Sequence, residues 1–298
     1  MSAHQLKTWG VIKVTGPEAA AFLHSQLTNS IENMPEHLMR MAGFCSAKGR
    51  LQGTFFVVRN GEDVYLVCKR DTIDALVKRL TLFKLRRKCE LSNASGQVAV
   101  EFIEDTGAEP MSVQKADTKV VCSIRPSPRT GKTVGFALHP GNLPESENAD
   151  QQFDAELQAL GIAFVCADTV EQFVPQAVNF DLVGGIHFEK GCYPGQEVVA
   201  RSHYIGKVKR RAFLATIPEI LEVKPGSDVW QTGKTNEPAG TVVTACQHEG
   251  NTLLMVELVA VQATENDASY SLESGESDNT FTVSQPPYDV FEKGDRFA

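Results

Sequence analysis

The sequence lacks the features that mark several broad classes of protein. None of its apolar runs approaches the roughly 18 residues that a membrane-spanning helix needs. Its first seven residues, MSAHQLK, form no apolar signal region. The seven cysteines are odd in number and never form Cys-x-x-Cys, which argues against a disulfide framework or a zinc ribbon. We therefore expect a cytoplasmic protein with reduced thiols and no membrane contact.

Signatures of common cofactor and metal sites are missing as well. The chain has no glycine-rich dinucleotide fingerprint, no phosphate-binding loop and no HExxH motif. His187 and His203 have no neighbours at the spacing of metal ligands, so we predict no metal site. What remains is a chain of 298 residues, 42% hydrophobic and 22% charged, which is typical of a globular protein of one to three domains.

Charge is spread unevenly along the chain. Residues 249–298 carry ten acidic and two basic residues, so they account for the whole net charge of −8, and residues 1–248 carry 27 of each sign. Two basic clusters stand out in that neutral part, at 84–88 (KLRRK) and 207–211 (KVKRR). Either cluster could face phosphate or carboxylate ligands, and an RNA-binding module that contacts tRNA through both clusters is one hypothesis for the function. The alternative is a solvated helix end and a solvated strand.

Hydrophobic periodicity predicts an α+β fold with a β-barrel at its end. The alternation over 9–14 indicates a strand, and Leu23, Leu27 and Ile31 lie on one face of a helix. We predict another helix capped by Asp150. From about residue 208, short alternating strands predict a small antiparallel barrel. The predicted units are residues 1–103, a first α+β lobe; 104–205, a second α+β lobe; and 206–298, the barrel.

One stretch, EKGCYPGQE at 189–197, has almost nothing to bury in a core. Its two glycines permit a positive φ or a close backbone approach, and Pro194 fixes one dihedral. A helix then begins near Gly195, which places Cys192 just before a helix N-terminus and two residues from Lys190. Both features would stabilise a thiolate and lower the pKa of Cys192. The alternative is a glycine-rich turn with an inert cysteine.

The same stretch and its surroundings resemble the YgfZ family, folate-binding relatives of the glycine-cleavage T-protein. The resemblance rests on QFVPQAVN at 172–179, GGIHF at 184–188 and KGCY-x-GQE at 190–197. Two earlier segments, 9–29 and CSAKGR at 45–50, are similar to the family as well. The likeness is weakest over 104–150. It implies two α+β lobes and a C-terminal antiparallel β-barrel around a central opening that holds folate.

The resemblance also implies a function and a set of site residues. It implies binding of tetrahydrofolate or a one-carbon-substituted folate, and a supporting role for iron–sulfur enzymes or cluster-assembly proteins, including those that thiolate tRNA. Cys192, presented at the mouth of the opening that holds folate, would be essential and Lys190 would support it. Trp9 would stack on the pterin, and Phe153 stands where the family has a second aromatic residue. Further candidates for folate contacts are Tyr193, Gln196, Glu197 and Arg201, with Lys48 and Arg50 as weaker ones for its glutamyl carboxylates.

Several of these roles have structural alternatives. Phe153 lies on one helix face with Leu157 and Leu160, where it would simply pack, and Tyr193, Gln196 and Glu197 would equally hold the loop by hydrogen bonds. A rival function is a folate-dependent aminomethyltransferase or demethylase. T-proteins carry an acidic residue after the second motif, whereas residues 49–56 (GRLQGTFF) have no carboxylate. The missing carboxylate counts against aminomethyl transfer.

Overall fold

The fold begins with a five-stranded antiparallel sheet built from the first third of the chain. The computed structural model describes residues 3–116, 118–234, 237–265, 268–274 and 279–292. The strand order in this first sheet is β2-β3-β4-β1-β5. Its strands are β1 Trp9–Thr15, β2 Met39–Cys45, β3 Leu51–Asn60, β4 Asp63–Lys69 and β5 Glu90–Asn93.

Both faces of the first sheet are covered, because apolar residues point to both sides of its strands. One face packs against the helices α1 (Ala19–Gln26) and α2 (Ile73–Lys84) through residues such as Phe22, Leu23 and Leu76. The opposite face, with Trp9 and Phe56, joins a larger core that extends into the rest of the chain. Burial on both faces makes this sheet the rigid centre of the molecule.

A second antiparallel sheet follows, in the order β6-β9-β8-β7. The helix α3 (Glu147–Ala159) comes after it and packs with it into the larger core, as Phe136 and Phe153 show. The short helix α4 (Gln196–Tyr204) ends this part of the chain. The strands of the second sheet are β6 Val98–Ile103, β7 Val113–Ala116, β8 Lys119–Pro126 and β9 Thr133–Pro140.

The last third forms a seven-stranded antiparallel sheet that curls into an almost closed barrel, in the order β15-β14-β11-β12-β13-β10-β16. The two edge strands, β15 and β16, are separated in sequence by a single residue, so the chain itself brings the edges of the sheet together. Its elements are β10 Arg210–Ile217, β11 Asp228–Gln231, β12 Gly240–His248, β13 Asn251–Val259, α5 Ala260–Ala263, β14 Tyr270–Ser271, β15 Thr280–Phe281 and β16 Val283–Ser284.

These observations confirm the predicted α+β class and the C-terminal antiparallel barrel. One strand assignment differs from the expectation. β6, which we placed in the first unit, pairs with β9 along its whole length from Val98 to Ile103 and therefore belongs to the second sheet. Its partner lies some 40 residues further along the chain, so local pattern did not reveal it. We still propose three units, with the first sheet ending at Asn93.

Candidate functional site

A cavity of about 540 Å³ lies where β1, α3 and the barrel strand β12 meet. Its walls combine apolar side chains with a small number of charged ones, which is usual for small-molecule sites. The lining residues come from distant parts of the sequence and include Thr8, Trp9, Lys69, Arg70, Asp154, Gln158, Phe164, Cys166, Val243 and Cys246.

Trp9 forms part of the cavity wall but is itself only 1% exposed. Its ring meets Phe153 and Phe164 edge to face, with centroids 5.0 and 4.7 Å away. The indole Nε1 donates a hydrogen bond of 3.0 Å to Asp154 Oδ1. The Lys69 ammonium lies over the ring, 4.4 Å from its centroid. Trp9 is therefore fixed in place, and a ligand in the cavity would meet Lys69 and Asp154 before it met the face of the indole.

Asp154 is one of three carboxylates among the described residues that line this cavity, together with Asp71 and Asp168. Its two oxygens accept hydrogen bonds from Lys69 Nζ at 2.6 and 2.7 Å, and both side chains keep a fraction of their surface exposed, 25% for Asp154 and 15% for Lys69. A carboxylate held by an ammonium and an indole N–H offers its remaining lone pairs to a donor in the ligand. Sequence analysis missed both residues, because neither belongs to a motif.

Asp150, a second carboxylate of α3, explains why Trp9 packs against this helix. Asp150 accepts hydrogen bonds from the backbone N–H groups of Lys7 and Thr8 at 2.6 and 2.9 Å, and from the Thr8 hydroxyl at 2.5 Å. We predicted Asp150 as the helix cap, and that prediction is wrong, because Ser146 caps α3 by accepting from Ala149 N–H. Asp150 instead anchors the start of β1 to α3.

Two cysteines, Cys166 and Cys246, also line the cavity. Cys246 Sγ lies 3.5 Å from the side-chain oxygen of Gln158. Burial raises the pKa of Cys246 to about 12, so this thiol stays protonated at neutral pH and is a poor nucleophile. It acts as an apolar part of the wall.

Cys192 lies elsewhere, on an exposed loop. As predicted, the loop directly precedes a helix, since α4 begins at Gln196 after Gly195 in the left-handed region. Gly195 packs against Gly49 of the CSAKGR motif. A Cβ on Gly195 would lie 2.3 Å from Ser46 O and 2.8 Å from Gly49 Cα. The two sequence motifs thus meet through their glycines, and this contact fixes the backbone that carries Cys192.

Lys190 is buried and points away from solvent. Its Nζ donates hydrogen bonds to the backbone carbonyls of His24 and Leu27, 2.6 Å away in the case of Leu27, at the end of α1. The ammonium also lies 5.1 Å from the centroid of the Tyr193 ring. Burial lowers the pKa of Lys190 to about 8, while the nearby Cys192 raises it. Lys190 therefore ties the loop to the end of α1.

The remaining predicted site residues fall into two groups. Phe153 is fully buried behind Trp9, which agrees with the packing role left open for it. Tyr193 is buried under Lys190, and burial raises its pKa well above the ordinary value. Gln196 is half-buried, and Glu197 and Arg201 are exposed on α4. Of the eight residues predicted to contact folate, including the weaker candidates Lys48 and Arg50, Trp9 is the one found among the described lining residues of the cavity.

The expectation that Cys192 stands at the mouth of the Trp9 cavity is not met. No residue from 189–197 is among those that line this cavity within the described ranges. The structure instead presents two places of interest, which we call the Trp9 cavity (the lining residues given above) and the Cys192 loop (residues 189–195).

The two basic clusters differ in how much charge they present. In the second cluster Arg211 is 2% exposed and forms a buried pair with Asp181, with N–O distances of 2.6 and 3.1 Å, and Arg210 pairs with Glu257 at 2.7 Å. Lys207 and Lys209 remain exposed. In the first cluster, Lys84 pairs with Glu90 and Arg87 with Glu18. Four of the basic side chains are thus held in ion pairs, and that of Arg211 lies in the interior.

Two further properties concern the described part of the chain only. No group of three or more His, Cys, Asp or Glu side chains stands close enough there to hold a metal ion. No helix in the ranges given above is long and apolar enough to cross a membrane.

Comparison with known proteins supports the resemblance found from the motifs. The chain is 25% identical over 260 residues to the tRNA-modifying protein YgfZ of Yersinia enterocolitica, covering 80% of this chain and 78% of that protein. It is 24% identical over 307 residues to the YgfZ protein of Cronobacter sakazakii and 26% identical over 313 residues to that of Escherichia coli, covering 96% of this chain and 93% of the relative in both cases. No family model matches the chain.

A solved structure shows the fold independently of sequence. The aminomethyltransferase T of the glycine cleavage system from Bartonella henselae superposes with a TM-score of 0.67, covering 98% of this chain and 87% of that one at 12% identity. The likeness to the YgfZ proteins and the T-protein-like fold are therefore both confirmed.

Proposed function

We propose that this protein is a YgfZ-like factor that binds tetrahydrofolate, or a one-carbon-substituted folate, in the Trp9 cavity and supports iron–sulfur-dependent tRNA modification through Cys192. The observation that carries the folate part is the fixed Asp154–Lys69 pair in the wall of a cavity of about 540 Å³. The tRNA part follows the name of the relatives, which are tRNA-modifying proteins. We place its action in the cytoplasm, where thiols stay reduced.

The donors and acceptors of the cavity fit a folate. A reduced pterin carries N–H donors on its pyrimidine edge, and Asp154 offers carboxylate oxygens to such donors. Phe164, Val243 and the Trp9 edge supply apolar wall for the bicyclic ring. Lys7 and Arg70, which also line the cavity, suit the glutamyl carboxylates. A bound folate would supply a one-carbon carrier, and the residues named here would bind and orient it.

Cys192 is proposed as the group that meets a protein partner. Its thiol is exposed, so an iron–sulfur enzyme or a cluster-assembly protein can reach it, and its backbone is fixed by the Gly49–Gly195 contact. The buried ammonium of Lys190 lies two residues before Cys192 in the chain, and α4 begins just after the loop. The sulfur of Cys192 and the folate would then act from separate places on the molecule.

A titration with tetrahydrofolate tests the folate part. In a Trp230→Phe background, the fluorescence of Trp9 reports binding without a second indole. Asp154→Asn keeps the shape of the side chain but replaces the carboxylate with a weaker hydrogen-bond acceptor. We expect this variant to bind tetrahydrofolate about tenfold more weakly. Asp63→Asn is the matched control, because Asp63 forms a similar ion pair of 2.7 Å with Lys13 outside the cavity. Equal affinity of the two variants would contradict the assignment of the cavity.

A test in cells addresses the cysteine. We expect Cys192→Ala to abolish support of iron–sulfur-dependent tRNA thiolation, measured as the fraction of modified nucleoside, while the protein remains folded. Cys89→Ala is the control, because Cys89 lies in the core with α1 and α2 and belongs neither to the Trp9 cavity nor to the Cys192 loop. Full thiolation in cells that carry Cys192→Ala would remove the role proposed for this residue.

One observation keeps the rival function in view. Residues 49–56 lack the acidic residue of the T-proteins, yet Asp154 brings a carboxylate into the cavity from α3. A folate-dependent aminomethyltransferase would use such a group to stabilise a cationic transition state. A direct assay of methylenetetrahydrofolate formation from an aminomethyl donor separates the two functions. The leading proposal expects no turnover, and turnover that depends on Asp154 would favour the rival.

A further inference from the structure

A second cavity, of about 570 Å³, lies between β2, β8 and the segment 183–187. It shares no lining residue with the Trp9 cavity in the described part of the chain. Residues from five separate stretches of the chain form it, among them Arg40, Arg125 and His187. No function discussed above uses these side chains.

The charge of this cavity has one sign. Arg40 and Arg125 both line it, and none of its lining residues in the described ranges is Asp or Glu. Arg40 Nη1 donates to Ser30 O at 2.5 Å, and Arg125 Nη2 donates to Val183 O at 2.9 Å. Burial lowers the pKa of both guanidinium groups. Two cations held in a poorly hydrated wall make an electrostatic field that favours an anion.

A nearby polar atom also lacks a partner. His187 is a lining residue, and its Nδ1 is buried without any hydrogen-bond partner among the described atoms. A buried ring nitrogen without a partner is rare, because the lost hydrogen bond to water costs free energy. A ligand in the cavity would be a natural partner for this nitrogen.

The rest of the wall is apolar and adaptable. Three of the six methionines of the chain line it, Met39, Met41 and Met111. Methionine is unbranched and polarizable, so such a wall accommodates apolar bodies of differing shape. The combination of two guanidinium groups with a methionine wall suits an ion that has an apolar body, more than it suits a bare inorganic ion.

From these observations we propose that this cavity is a binding site for a small organic carboxylate with an apolar body. The carboxylate would lie against Arg40 and Arg125, and the body against Met39, Met41 and Met111. Guanidinium groups bind carboxylates bidentately, which would fix the head of the ligand. The proposal does not depend on folate binding or on Cys192.

The methionines provide the readout. In protein labelled with ¹³C at the methionine methyl groups, we would titrate octanoate as an anionic probe and 1-octanol as its neutral match. Octanoate should shift the signals of Met39, Met41 and Met111 while leaving Met34 and Met255 in place, and it should bind about tenfold more tightly than octanol. Equal binding of the two probes, or shifts at Met255 instead, would overturn the proposal.

Two substitutions complete the test. Arg40→Leu should weaken octanoate binding about tenfold, and Arg40→Lys, which keeps the charge without the planar fork, should fall between. Arg59→Leu is the control, because Arg59 donates to the carbonyls of Glu32 and Met34 at 3.2 and 3.1 Å in a comparable way but does not line this cavity. Unchanged octanoate affinity in folded Arg40→Leu would contradict the proposal, as would tight binding of inorganic phosphate with no response to octanoate.

Discussion

The Trp9 cavity and the Cys192 loop hold their functional groups in opposite ways. In the cavity the carboxylate of Asp154 is bound by Lys69 and by the Trp9 indole, so the polar group that a ligand would meet is already fixed. On the loop the thiol of Cys192 is free in solvent, and the fixed parts are its neighbours, Lys190 and Gly195. The cavity is organised to receive a small molecule, whereas the loop is organised to present a reactive atom to another protein.

The largest effect should come from the ion pair that anchors the segment leading to the Cys192 loop. The side chains of Arg211 and Asp181 are 3% and 2% exposed, and Arg211 also donates to Gln176 O at 2.8 Å. Asp181→Asn leaves a buried guanidinium without its counter-charge, and we expect the free energy of unfolding to fall by about 4 kcal/mol. Urea denaturation measures this change in the free energy of unfolding.

The control for that change is Asp63→Asn. The side chains of Asp63 and Lys13 are about 30% exposed and form a surface ion pair. We therefore expect Asp63→Asn to lower the free energy of unfolding by less than about 1 kcal/mol. Similar losses from the two variants would mean that the buried pair does not anchor the segment.

The second-largest effect concerns the contact that restrains the Cys192 loop, and two glycines with the same backbone conformation test it. Gly195 and Gly233 both have φ of +79°, but a Cβ would meet Ser46 O at 2.3 Å in the first case and nothing within 4 Å in the second. Gly233→Ala should lower the free energy of unfolding by about 1 kcal/mol, because alanine is disfavoured in the left-handed backbone region. Gly195→Ala should cost about 3 kcal/mol, because Gly49 must also move.

Thermal and urea unfolding of both variants measure the difference. If Gly195→Ala cost no more than Gly233→Ala, the contact between the two motifs would not restrain the Cys192 loop.

A smaller effect concerns pH and the buried lysine of the loop. Burial lowers the pKa of Lys190 from 10.5 to about 8. Between these two values the unfolded chain holds the proton and the folded protein does not, so Lys190 makes the free energy of unfolding rise as pH rises. Lys190→Met should remove this contribution and give a less positive slope between pH 8 and 10. Parallel slopes for the variant and the parent protein would show that Lys190 titrates normally.

Part of this picture could be predicted from sequence. The Cys192 loop and the start of α4 followed from a local run of glycines, proline and polar residues, and the barrel followed from regular alternation over 210–259. These features depend on neighbours in the chain, which is what a pattern records.

The Trp9 cavity could not be predicted in the same way. Lys69 and Asp154 are 85 positions apart and meet only because α3 packs on the end of β1 and β4. The pairing of β6 with β9 and the burial of Arg211 against Asp181 have the same origin in tertiary packing. The composition of 207–211 is that of a basic surface, but Arg211 is buried in an ion pair with Asp181, and Arg210 pairs with Glu257 at the surface.

The separation of the two places is the central claim, and calorimetric titration of Cys192→Ala with tetrahydrofolate tests it most directly. Because no residue of the Cys192 loop is among the described lining residues of the Trp9 cavity, the account predicts a dissociation constant within about twofold of the parent protein. A loss of tenfold or more would place the thiol in the folate site and contradict the account.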